Sequence, residues 1–162
     1  MEKVMAYLKA DPIPWLLEPE NPSVRYWTLI DLLDRPARAA EVGEARAAIA
    51  QQPLVGELFA GQHPDGQWGD DPAKPYTARG AVGVLSLLHV LGVDPDERTA
   101  AGCEYMLRYC QNESGGFSLR KTQRSGIVPC TTGEHLPMLV YIGLGDDPRV
   151  RQAFAFVLED MD

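Results

Sequence analysis

The chain has 162 residues, 45% hydrophobic and 23% charged, the size and composition of one globular domain with a single core. Its 23 acidic residues against 15 basic ones leave a net charge of −8, which repels a phosphate backbone and argues against nucleic acid as a partner. No apolar run approaches the ~18 residues of a membrane-spanning helix, and the opening MEKVMAYLKADP has no signal-peptide core, so a soluble, cytoplasmic protein is expected.

Helical periodicity dominates, and the amino-terminal part, residues 1–52, reads as a set of short helices. One runs from Glu2 to Lys9 and another from Ile13 to Leu17. NPSVRYWTLIDLL then offers Asn21 as N-cap and Pro22 at the first helical position, with Val24, Trp27, Ile30 and Leu33 as the apolar row. Ala39 to Ala50 is rich in Ala, Arg and Glu, all strong helix formers, and a further helix starts at Pro53. Cys103 and Cys110 stand seven residues apart on one helix, a rise of roughly 10 Å that no disulfide spans, so reduced thiols are expected.

Residues 53–162 carry an internal repeat within what reads as a single domain, 1–162. QHPDGQW, Gln62 to Trp68, and QNESGGF, Gln111 to Phe117, share the pattern Gln-x3-Gly-x-aromatic at an offset of 49. Downstream, Leu91-Gly92 and Asp94-Pro95 align with Leu144-Gly145 and Asp147-Pro148 at an offset of 53, and GCEYMLRY from Gly102 lies over AFAFVLED from Ala153 at an offset of 51. Each copy reads as a helical hairpin: a helix ends at Leu-Gly, Asp-Pro caps and starts the next, and that one ends at the Gln motif. A hairpin of this kind buries its apolar face only by stacking on a neighbour.

Gln62-x3-Gly66-x-Trp68 resembles the motif of squalene-hopene and oxidosqualene cyclases, and Gly115-Gly116-Phe117 resembles the repeat of protein prenyltransferase beta subunits. The resemblance implies an all-α fold of helical-hairpin repeats, a partial alpha/alpha toroid. A HEAT-like α-solenoid is the alternative, which SVRYWTLIDLL also suits. It further implies that Gln62, Gly66, Trp68, Gln111, Gly115 and Phe117 fasten helices together, the glutamine bonding backbone at a helix end and the ring packing on the neighbouring helix. The departures bear on function. No Asp-x-Asp-Asp occurs, and Cys130-Thr131-Thr132-Gly133-Glu134 echoes the oxidosqualene cyclase motif with Pro129 standing where the proton-donating Asp belongs. Cyclisation of either type is therefore not expected, and the balance leans against an enzyme. A full toroid has about six hairpins and this chain offers about half, which implies either part of a longer toroid or a core closed by self-association.

In a toroid of this kind, site residues gather at the helix starts that follow each Gln motif. Here those are Asp70, Asp71, Tyr76, Thr77 and Arg79 in the first copy, and Cys130, Thr131, Thr132, Glu134 and His135 in the second. Trp27, Tyr76, Tyr105, Phe117 and Tyr141 are the candidate walls of an apolar, isoprenoid-like ligand pocket. Arg120, Lys121 and Arg124 are candidates for a diphosphate, although such a cluster also suits a solvated loop. Cys130 and His135, with Asp70 or Asp71, are candidate zinc ligands, but five positions on an ordinary helix place the first two about 140° apart, so convergence needs Cys130 to precede the helix. No other cofactor is implied. Pro137 is expected in the first turn of a helix beginning near His135; inside a helix it would instead free the Gly133 carbonyl beside a pocket. Two functions follow from these residues: a toroid-type domain binding an apolar small molecule, or a helical scaffold binding another protein or its own copy. A zinc-dependent prenyl transferase is the third.

Overall fold

The computed structural model describes residues 9–71, 74–118, 127 and 129–159. Among them the chain is all-helical, with no strand and three isolated β-bridges. It divides into two compact units, residues 1–56 with 90–94 and residues 57–89 with 95–162. The expected helix at Glu2 to Lys9 falls outside the described residues except for Lys9.

In the first unit, α1 is a single turn, Ile13–Leu16, entered through an Asp11 carboxylate that accepts the Ile13 N–H at 2.9 Å. Helix α2, Pro22–Trp27, starts with proline at its first position, where the missing N–H costs nothing. It runs into a π-helical turn, Thr28–Leu32, closed by the Leu33 N–H donating to the Thr28 carbonyl at 3.0 Å. Pro22, Tyr26, Thr28 and Leu29 are the buried residues, whereas Val24 is exposed, so the row Val24, Trp27, Ile30 and Leu33 is not the core face. Helix α3, Ala40–Ala50, packs on α2 through Val42, Ala45 and Ile49, one buried residue per turn. Arg46 donates to the Tyr26 hydroxyl at 2.8 Å and pairs with Asp94 at 2.6 Å, and the Trp27 indole N–H donates to the Val90 carbonyl at 2.7 Å. These bonds tie residues 90–94 to α2 and α3.

The repeat lies in the second unit. Its helices are α4, Pro53–Ala60, which enters from the first; α5, Ala81–Leu91; α6, Glu97–Tyr109; α7, Pro129–Tyr141; and α8, Pro148–Glu159. Asp96 caps α6 by accepting the Arg98 and Thr99 N–H groups at 3.0 Å each, and Thr99 returns the bond, a full capping box. Asp147 caps α8 in the same way, accepting the Arg149 N–H at 2.8 Å. Helix α5 ends before Gly92 at φ +77° and α7 before Gly143 at φ +91°, both left-handed as a helix terminus favours. Caps and termini thus correspond at an offset of 51, the value read from the sequence for Gly102 and Ala153, and not the 53 read at Leu91 to Pro95. The misalignment has a local cause. Gly143 and Gly145 both follow α7 and only the first is left-handed, while Asp94-Pro95 precedes the cap in one copy and Asp147 is the cap in the other.

Helix α7 also begins earlier than expected. It starts at Pro129, so Pro137 lies inside it and not in its first turn. Proline there has no N–H to give the Gly133 carbonyl, and its side chain is exposed.

Candidate functional site

The two Gln motifs build the same joint twice. Gln62 Nε2 donates to the Gly66 carbonyl at 3.3 Å and to the Arg98 carbonyl, in the first turn of α6, at 2.8 Å. Gln111 Nε2 donates to the Gly115 carbonyl at 3.0 Å and to the Arg149 carbonyl, in the first turn of α8, at 2.7 Å. Each loop closes on an isolated bridge, Gln62 to Trp68 and Gln111 to Phe117. The glycine in each is left-handed, at φ +89° for Gly66 and +93° for Gly115, and presses on the next helix so closely that a Cβ would stand 2.2 Å from the Ala101 carbonyl oxygen or 2.6 Å from that of Gln152. Trp68 is buried with its indole N–H on the Leu58 carbonyl at 2.7 Å and its ring against Gly102. Phe117 is buried and its N–H donates to the Thr132 hydroxyl at 2.8 Å.

These joints seat the second hairpin on the first. Helix α8 lies beside α6, where Arg149 holds the Glu104 carboxylate at 3.0 and 2.8 Å. Those bonds, with those to Asp147, keep the Glu104 and Asp147 carboxyls below their ordinary range and push the Arg149 guanidinium up. Helix α7 lies beside α5, with the Tyr141 ring at 4.9 Å from His89.

Inside the joint sits His135. It is 4% exposed and lies between Tyr76, at 5.5 Å between ring centroids, and Phe117, at 5.7 Å. At the offset of 51 its counterpart is Val84, also buried. Among the described residues neither ring nitrogen of His135 has a hydrogen-bond partner, and the buried Tyr76 hydroxyl has none either. Burial pushes the imidazole pKa down, opposed in part by Glu134, and pushes the Tyr76 phenol up.

The remaining sequence candidates are scattered. Trp27 belongs to the first unit. Tyr105 and Phe117 are fully packed, and the Tyr105 hydroxyl donates to Gln67 at 2.9 Å. Asp70, Thr77, Arg79 and Glu134 are exposed, and Asp71 pairs with Lys74 at 3.1 Å. Thr131 is half-buried, and Thr132 is the acceptor described above. Cys130 is exposed whereas His135 is buried, and no group of three metal-ligating side chains occurs among the described residues. Arg120, Lys121 and Arg124 lie outside the described residues. Cys103 and Cys110 are buried and outside any disulfide, and burial pushes the Cys103 thiol up to about 12.

The concave apolar feature lies elsewhere. A groove of about 360 Å³ runs between α7 and α8, with Gly133, Leu136, Pro137 and Val140 on one wall and Phe154, Val157 and Leu158 on the other. None of the described lining residues is charged. Pro137, set inside the helix, forms part of this wall, as does Gly133; the other lining residues were not among the sequence candidates, although the offset of 51 read for α6 and α8 pairs Phe154 with Cys103 and Leu158 with Leu107. Phe154 and Leu158 correspond to Cys103 and Leu107, which are 0% and 3% exposed, yet they are themselves 40% and 64% exposed. Nearer the start of α8, Val150 and Ala153 are buried as their counterparts Thr99 and Gly102 are. The positions buried on α6 at Cys103 and Leu107 are thus exposed on α8.

No family model, curated protein or solved structure matches this chain.

Proposed function

We propose that this chain is a non-catalytic helical-repeat scaffold of the partial-toroid kind, and that its working surface is the α7–α8 groove, which binds a helical protein partner. The observation that supports this is the open groove itself, lined without a charged group and placed where the preceding hairpin accepts a helix pair. Amphipathic helices in apolar grooves are a standard recognition mode. The glutamine joint, which links α6 to α8 while α5 and α7 lie together, supports stacked helical hairpins and suits a toroid and a HEAT-like solenoid alike.

An isoprenoid-like ligand is the second reading, supported by the groove volume, which lies in the range of small-molecule sites. The lining offers no polar group to orient a headgroup, and such groups normally fix a ligand's pose. An apolar fluorescent dye, anilinonaphthalene sulfonate, tests both. The native chain is expected to enhance its emission, and Val140→Glu and Leu158→Glu to abolish the enhancement. Equal emission from all three proteins would refute the groove as a binding surface. Displacement of the dye by farnesol would move the assignment to the isoprenoid.

A further inference from the structure

We infer that the seam between the two hairpins is an acid-operated hinge: α5 and α7 part when the histidines of that seam take up protons, while α6 and α8 stay clasped. The hinge is independent of what the α7–α8 groove binds.

The chain has three histidines, and two of them stand in this one seam. His89, near the end of α5, sets its ring 4.9 Å from that of Tyr141, the last residue of α7. His135, on α7, sets its ring 5.5 Å from that of Tyr76, in the loop that leads into α5. Each side of the seam thus gives one histidine and one tyrosine. His63, the third histidine, is exposed. Thr132 lies one turn before His135 on the same face of α7, and both meet Phe117 of the second Gln motif.

The His135 site does not accommodate a cation. An imidazolium carries two N–H groups and needs two acceptors, and among the described residues the ring has none. Tyr76 faces it from the loop before α5 as a phenol kept neutral by burial, and Glu134, its exposed neighbour on α7, favours the proton only in part. No metal-ligating cluster among the described residues includes it. His89 is half-buried, and Tyr141 is the titratable group that faces it from α7. Burial holds both imidazoles below their ordinary 6.5. The closed seam therefore keeps both rings neutral, and parting gives them water and their ordinary proton affinity. Closure is complete above pH 6.5. Below it, parting becomes more favourable by up to about tenfold per pH unit for each histidine.

The other side of the hairpin pair is held by groups that do not titrate in this range. Arg149 holds Glu104 at 3.0 and 2.8 Å, Gln111 donates to the Arg149 carbonyl at 2.7 Å, and Gln152 donates to the Glu113 carbonyl at 2.6 Å. The Glu104 and Asp147 carboxyls lie below their ordinary range, so the clasp outlasts the histidines as the pH falls. Helices α7 and α8 pack on each other, and the second hairpin turns as a unit on the α6–α8 line.

Hydrogen exchange of the full chain, followed helix by helix at pH 7.5 and 5.5 and expressed as protection relative to the unstructured rate at each pH, tests the hinge. Helices of 11 and 13 residues, such as α5 and α7, are marginal without packing. The expected result is lost protection in residues 81–91 and 129–141, up to about tenfold for each histidine, with residues 97–109 and 148–159 unchanged. His135→Val, which copies Val84 of the first hairpin, should leave at most the loss due to His89. His89→Gln, at a half-buried position that tolerates a polar side chain, is the second variant and should leave at most the loss due to His135. Equal loss in all four helices overturns the hinge, because acid then unfolds the unit as one body. Protection that is the same at both pH values overturns it too, as does a loss in α5 and α7 that each substitution leaves at full size.

Discussion

A single glutamine fastens each joint, because its amide supplies two N–H groups, one to a carbonyl of its own loop and one to a carbonyl in the first turn of the next helix. Gln111 is buried and reaches Gly115 and Arg149, so Gln111→Ala is expected to cost about 2 kcal/mol in urea unfolding, the loss of two hydrogen bonds shielded from water. Gln62 makes the same pair of bonds in a more exposed setting, where water can replace it, and Gln62→Ala should cost about half as much. Equal losses would show that burial does not set the strength of the joint. Gly115→Ala is expected to lose at least ~2 kcal/mol, since φ is +93° and the new Cβ would stand 2.6 Å from the Gln152 carbonyl. A near-neutral Gly115→Ala would mean that α8 can shift away. These residues were legible in the sequence because the joint needs a long amide, a left-handed glycine and a ring at fixed spacing, and few other residues satisfy those demands. His135 was visible only as a candidate ligand; that its ring would be buried at the position of a valine is a fact of packing, beyond the reach of local pattern.

At the scale of elements, the helices themselves were largely legible and their registers were not. Pro22 and Pro53 mark true helix starts, but Pro129 starts α7 although the sequence placed its beginning near His135. The buried face of α2 is Pro22, Tyr26 and Leu29, spaced i, i+4 and i+7, so a 3.6-residue period fits it as well as the row Val24, Trp27, Ile30 and Leu33, and only the packing partner decides between them. Comparison of α5 with α7 in the corrected register also gives a pH prediction. Val84 is apolar where His135 is not, and burial holds the His135 pKa below its ordinary 6.5. The unfolded chain therefore takes up the proton first, so stability is full above pH 6.5 and declines as the pH falls below it. The decline has a ceiling of about 1.4 kcal/mol per pH unit for one such group. His135→Val, which copies the first hairpin, is expected to flatten the urea midpoint between about pH 6.5 and 5. A residual slope belongs to His89, whose pKa burial also lowers. The carboxylates held down by hydrogen bonds, Glu104 and Asp147, lose their contribution only in a more acidic window, below their ordinary 4.5 and 3.8. An unchanged slope in His135→Val would mean that water reaches the ring in the folded state.

For the whole molecule, the repeat was legible, but not which apolar side chains would stand exposed: Leu107 and Leu158 are the same residue at equivalent positions, one buried and the other exposed. Nor did it show that residues 90–94 belong with the amino-terminal unit, since the bonds that hold them there, Trp27 to Val90 and Arg46 to Asp94, span long stretches of sequence. Composition and contact surface make opposite demands on an anionic ligand, and their competition can be measured. The chain carries −8 and so repels the sulfonate of anilinonaphthalene sulfonate at long range, while the described lining of the groove that would hold its rings is uncharged. Long-range repulsion is screened once the Debye length falls to about 10 Å or less, near 0.1 M salt, whereas apolar contact is not weakened by salt. Dye binding between α7 and α8 is therefore expected to tighten as salt rises, with the half-saturation point moving to lower dye concentration. Binding made instead by the sulfonate on exposed guanidinium groups, such as that of Arg151, would loosen over the same range. The sign of the salt dependence in the dye titration thus separates an apolar groove from an ionic site without any substitution.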